Sequence, residues 1–251
     1  MKTKKLVNVL TFVFALVFNG LASTLPLNGR DTGQISDMYP TLFTPAGYVF
    51  SIWGVIYLGL IALVVYGATK RGDEVTDKLG YWFAASSIFN GLWIIAWHYD
   101  WLWLSIVLML GILGSLIAVY ERLGIGRTTA SGAETWLVRV PISIYLGWIS
   151  VATIANVSVL AYANGWTGWG VAESAWTVLM IVVGGLLNTL MIWRRREVAY
   201  GLVYVWAGVG IAVANGFGSA IGIVALIVAI AVAALVLLRL IGRFPKSSTS
   251  S

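Results

Sequence analysis

The chain has no cysteine, a single histidine, and charged side chains at only 10% of its 251 residues. Without cysteine there can be no disulfide, thiolate metal site, thiol nucleophile or Cys-ligated cluster. One histidine with no cysteine cannot build a zinc site. Soluble domains carry about 25% charged residues, so this chain is too poor in charge to coat a water-soluble globule. What it has instead is apolar length: 59% of its residues are hydrophobic.

A membrane-spanning helix needs about 20 mostly apolar residues. Eight stretches qualify, at 6–24, 47–68, 79–98, 102–120, 139–163, 171–193, 199–215 and 219–240. Backbone amides find no water in lipid, and no β-barrel alternation is present, so each stretch is expected to be a helix. After Arg196 the chain is apolar for more than 40 residues. A tight turn is expected at Ala214-Asn215-Gly216-Phe217-Gly218. The fold class expected is an all-α integral membrane protein with both termini inside.

Charge tests that count independently. With the amino terminus inside, all 16 Lys and Arg residues except Arg30 fall on the inner side. An error of one helix would scramble this positive-inside bias. The net charge of +6 therefore reads as orientation and contact with anionic lipid, not as a nucleic-acid footprint. Residues 1–24 admit two readings, a retained first helix or a cleavable signal peptide; the long apolar run and the lack of a small-x-small site favour the first. Residues 244–251 read as a disordered tail. A Lys-led amino terminus fits the plasma membrane of a free-living microbe better than an organelle-targeting arm, which is Arg- and Ser-rich.

Little in the spans could do covalent chemistry. Asp100 and Glu173 fall at outer helix ends, and Glu121 and Glu134 in an inner loop. Pumps and proton-coupled carriers bury a carboxylate or lysine in mid-membrane, and no such residue stands out. His98, among Trp97, Tyr99 and Trp101, reads as an interfacial side chain rather than a haem or metal ligand. No nucleophile–base–orienter set is evident, so enzymatic activity is not expected. Gly208-Val-Gly210 lies inside an apolar span and cannot be a phosphate loop. Gly218 and Gly222 permit close helix approach and nothing more specific.

Tryptophan is abundant, with 13 copies. An interfacial aromatic belt accounts for many, but not for Trp53, Trp93, Trp148 and Trp206 inside spans. Tyr145, Trp148, Ala152 and Asn156 are spaced 3, 4 and 4 apart and share one helical face. Asn90, Trp93 and Trp97 share another, as do Phe50, Trp53 and Tyr57. At about 1.5 Å per residue these faces lie at one depth, roughly 8–12 Å below the outer surface. An unpaired amide in hydrocarbon is costly, so they should turn inward, toward each other or toward a ligand.

Phe43-Thr-Pro-Ala-Gly-Tyr-Val-Phe-Ser-Ile-Trp-Gly-Val-Ile-Tyr57 resembles the first loop and second helix of the translocator protein family. These are the tryptophan-rich sensory proteins, also called TspO/MBR or peripheral benzodiazepine receptors. Asn90-Gly-Leu-Trp93 resembles the family's third-helix motif, and Tyr145-Leu-Gly-Trp through Ala-Thr-Ile-Ala-Asn156 its fifth helix. The pattern departs at Gly47, where the family has Trp, at Thr44 for the first of two prolines, and at Ile144 before Tyr145. The likeness covers about residues 1–165, leaving 166–243 as a three-helix extension before the tail.

The resemblance implies a five-helix bundle that binds flat hydrophobic ligands, porphyrins and haem or in some members sterols, under the loop between helices one and two. It implies Trp53, Tyr57, Asn90, Trp93, Tyr145, Trp148, Ala152 and Asn156 as the wall, with Pro45 shaping the lid and Tyr48 one position off register. No cofactor is implied; porphyrin or haem would be the ligand. The expected partners are lipid, a hydrophobic small molecule and a second copy of the chain. Two other functions remain open: a small-solute transporter using helices six to eight, where Trp206 and Asn215 faintly echo Trp148 and Asn156, and a structural role without a ligand.

Overall fold

The computed structural model describes residues 2–24 and 27–242, and among these there is no strand. The protein is an all-α integral membrane protein. Its helices are α1 (Lys2–Thr24), α2 (Thr32–Asp37), α3 (Ile52–Ala68), α4 (Asp73–Leu79), α5 (Trp82–His98), α6 (Leu102–Arg122), α7 (Gly132–Glu134), α8 (Val140–Ala163), α9 (Glu173–Arg195), α10 (Val198–Asn215) and α11 (Ala220–Leu240). A 3₁₀ turn at Gly47–Ser51 leads into α3, and a π turn at Thr135–Arg139 leads into α8. Among the described residues seven helical segments are long and apolar enough to cross a membrane, and the bent pair α4–α5 is an eighth when taken as one span. The tail at 244–251 lies outside the described residues.

The third span departs from the expected 79–98. Gly80 sits at φ 55°, ψ −136°, a conformation that costs glycine nothing and other residues a Cβ clash. The chain breaks there, and α4 lies 70° from α5. Hydropathy starts the span at Leu79 because Asp77 and Lys78 precede it, so the charged helix α4 beyond the break goes unseen. The turn expected at 214–218 is present: Gly216 has φ 79°, and the Ser219 hydroxyl accepts from Gly222 N to start α11.

Two buried clusters hold the molecule together. One joins α1, α3, α5, α6 and α8 through residues such as Phe12, Ile56, Trp93, Ile112 and Ile149. The other joins α9, α10 and α11 through Ile181, Ile211, Ala225 and Val232. They interlock rather than abut. Tyr200 and Val203 of α10 belong to the first, while Val151 of α8 and Phe43 of the first loop belong to the second. The first helix is a full member of the bundle, burying Phe12, Ala15 and Ala22 and packing against α5.

Candidate functional site

The three aromatic faces meet. Trp53 of α3 is the hub: its ring stacks on Tyr57 at 5.6 Å and 18°, and lies 5.9 Å from Trp93, 6.0 Å from Tyr145 and 6.2 Å from Trp148. Trp93 stacks on Trp97 at 5.9 Å and 21°, and Phe50 stands edge-on to Trp148 at 5.8 Å. Offset and edge contacts of this kind suit the aromatic quadrupole.

The amides tie the faces together. Asn156 Oδ1 accepts from Trp93 Nε1 at 3.2 Å, and Asn156 Nδ2 donates to Ser105 Oγ at 2.9 Å. Asn90 Oδ1 accepts from Tyr57 Oη at 3.0 Å and from Asn19 Nδ2 of α1 at 2.9 Å. So α1, α3 and α5 share one polar node, and α5, α6 and α8 share another. Both are buried: Asn90 and Asn156 are 1% and 2% exposed.

Between the rings lies a hollow of ≈ 30 Å³, under α2. Thr32, Ser36, Pro45 and Phe50 line it from the loop side, and Trp53, Trp93, Trp97 and Trp148 from α3, α5 and α8. Ala152 and Asn156 complete the wall, with Val151, Ala155 and Val159. The space admits about two waters, against roughly 300 Å³ or more for pockets that hold drug-sized molecules. Trp148 Nε1 is buried and has no acceptor.

Of the expected site residues, Pro45, Trp53, Trp93, Trp148, Ala152 and Asn156 line this hollow. Tyr57 and Tyr145 stand behind Trp53. Asn90 is not in the wall; it anchors Tyr57 from outside it. Tyr48 is elsewhere: it is 45% exposed and meets Trp206 edge-on at 5.2 Å. A 3₁₀ turn advances about 120° per residue, so a neighbour in sequence points to a different side. Phe50 and Trp97 shared the expected faces, but their place in the wall was not foreseen. Neither was that of Thr32 and Ser36, which nothing in the spacing marks.

His98, the last residue of α5, is covered by protein rather than exposed, and Asn28 Nδ2 donates to its carbonyl at 3.0 Å. Its Nδ1 lies 2.7 Å from Ile94 O, and Nε2 has no partner. Among the described residues no group of three His, Cys, Asp or Glu could hold a metal.

A family model described as TSPO-like protein matches residues 5–238. The chain belongs to the TSPO-like protein family. The match runs through all the long helices, α9, α10 and α11 included. No curated protein and no solved structure matches the chain.

Outside the hollow, this TSPO-like protein buries one carboxylate that the sequence reading passed over. Glu197, between α9 and α10, is 7% exposed. Burial pushes its carboxyl above the usual range, while the Ser143 and Tyr120 hydroxyls and the Arg195 and Arg139 charges pull it down. A carboxyl raised on folding stabilises the folded state fully below its unfolded value, about 4.3, and loses that contribution as pH rises through the folded value. The thermal midpoint of Glu197→Gln is therefore expected to stay flatter over that window than that of the parent, and to lie higher at neutral pH. A parallel pH dependence of the two midpoints in detergent would contradict this.

Proposed function

We propose that this protein is a membrane receptor or carrier that takes a flat, hydrophobic, tetrapyrrole-like molecule between the aromatic faces of α3, α5 and α8, beneath α2. The observation that carries this reading is Trp148 Nε1, a donor-only group buried without an acceptor in a ring that lines the hollow. A buried donor left unpaired costs about 1–3 kcal/mol, and a ligand acceptor at that position removes the cost. Ring walls supply stacking area and a few polar groups set orientation, the usual division of labour in such sites.

The closed hollow is too small for the guest, so binding requires it to widen. Trp53 touches four of the rings and is only partly buried, so moving its indole opens the most space. The wall contains no Asp, Glu, Lys, Arg or His, which supports binding without chemical turnover. A sterol, with one acceptor and a flat ring system, is the alternative guest. We place the protein in the plasma membrane of a microbe, on the Lys-led amino terminus.

Protoporphyrin titration of detergent-purified protein, followed by tryptophan quenching, tests the reading. Saturable quenching is expected, and Trp148→Phe, which keeps a ring and removes the N–H, should weaken binding about tenfold, with the thermal midpoint measured alongside to separate lost packing from the lost donor. Equal affinity in Trp148→Phe would remove the role given to Nε1. The tight ring contacts favour one second reading, a filled aromatic core with no guest. Wild-type protein that shows no saturable quenching with protoporphyrin or a sterol would select it.

A further inference from the structure

The hollow is roofed by the chain between α1 and α3, and the two halves of that roof are fastened to different parts of the molecule. The α2 half is held to the end of α5: Trp97 Nε1 donates to Thr32 O at 3.4 Å, and Tyr39 Oη donates to Asp100 Oδ1 at 3.0 Å. The second half, Leu42–Phe50, contributes Pro45 and Phe50 to the wall and is held from the other side. Asn215 Nδ2 donates to Leu42 O at 2.9 Å, Trp206 Nε1 to Val49 O at 3.1 Å, and Ala46 N to Gly210 O at 3.1 Å. Glu173 at the start of α9 accepts from Leu42 N at 3.2 Å.

Gly210 shows how close this fit is. A Cβ there would collide with Val49 Cγ2 and press on Pro45 Cβ at 3.1 Å. Only hydrogen at that position lets α10 lie against the roof. Trp206 and Asn215 are the two side chains of α10 that resembled a second ligand face, and both of their donors are spent on the roof's backbone carbonyls.

We infer that Trp206, Gly210 and Asn215 are positioning residues for the ligand site: α10 clamps Leu42–Phe50, and guest exchange requires that clamp to release. The inference rests on the reading of the hollow as a ligand site, but its first test does not use a ligand. A clamp of two donated side-chain bonds, one backbone bond and one apolar close approach adds a barrier to opening while leaving the wall unchanged. Loosening it accelerates entry and exit together, so rates change more than affinity.

The absence of native cysteine provides the assay. Ala152, 8% exposed and in the wall, is replaced by cysteine as a reporter, and its rate of maleimide labelling is measured in detergent. Adding Trp206→Phe and Asn215→Ala is expected to raise that rate about tenfold or more, the factor expected from losing two hydrogen bonds of ordinary strength. Adding Val213→Ala, an exposed position on the same helix, should not change it. Glu173→Ala, on an exposed side chain, should raise it about threefold and serves if the double variant does not fold.

Protoporphyrin association and dissociation in the cysteine-free background should both speed up, with a smaller change in Kd. Labelling that is unchanged in folded clamp variants overturns the inference. Labelling that rises in a protein that never binds protoporphyrin or a sterol supports the clamp and overturns the ligand reading instead.

Discussion

Replacing Asn156 with leucine is expected to cost about 2–4 kcal/mol of stability, although leucine fills nearly the same volume. Two partners lose their mate at once. Trp93 Nε1, which can only donate, has no other acceptor in place of Asn156 Oδ1. Ser105 Oγ loses the Asn156 Nδ2 donor, while its own hydrogen stays on Leu102 O at 2.8 Å. All of these groups are buried, and each buried orphan costs about 1–3 kcal/mol. The cost is therefore one of desolvation rather than packing. Ser105→Ala alone removes one partner, and combining it with Asn156→Leu should cost less than the sum of the two, because both changes remove the same Ser105–Asn156 bonding. The check is a thermal or denaturant midpoint for the four members of the cycle. Additivity, or an Asn156→Leu cost under about 0.5 kcal/mol, would mean that the amide does not organise the α5–α6–α8 junction.

That junction was half legible in the sequence. The 3.6-residue period put Trp93 on one face with Asn90 and Trp97, and Trp148 on one face with Ala152 and Asn156, and the structure brings those faces into contact. Period specifies which residues share a face but not which faces meet, so Ser105 as the third member, contributed by α6, was invisible. The same limit hid Asn19, which joins Asn90 from α1. Tyr48, taken from the resemblance as a neighbour of the Gly47 position, faces elsewhere because one residue in a 3₁₀ turn is about 120° of rotation.

The spans were legible because the hydropathy of a membrane helix is a property of composition alone. Their breaks were not, as Gly80 shows. Least legible were contacts that reach across the chain. Nothing in the neighbourhood of Asn215 or Trp206 announces bonds to Leu42 and Val49, more than 150 residues away. Glu197 follows Arg194-Arg195-Arg196 and so has the local setting of a solvated charge. It is buried because Arg196, at φ 59°, ends α9 in a left-handed cap and turns the chain directly into α10.

The basic end of the bundle holds its own partly buried ion pair, and breaking it should be as costly as any change at the hollow. Arg139, with its side chain 8% exposed, lies 2.8 Å from Glu134 Oε1. It also donates to Thr128 O at 2.6 Å and to Thr128 Oγ1 at 3.1 Å, so one guanidinium fastens the α6–α8 loop to the π turn that opens α8. Arg139→Met is expected to destabilise by about 3 kcal/mol, the low end for a buried pair, because the Glu134 side chain left uncompensated is 17% exposed. Glu134 is the direct loss, and the buried Glu197 nearby loses a favourable charge as well. Arg139→Lys should recover little, because a single ammonium cannot reach the carboxylate and the threonine carbonyl in the fork geometry that Arg supplies. Arg139→Met combined with Glu134→Gln should regain part of the loss, because position 134 then carries no charge to leave uncompensated. Midpoints in detergent for this set decide the point. A double variant as unstable as Arg139→Met alone would place the cost in the lost bonds to Thr128, whereas recovery places it in the charge at Glu134.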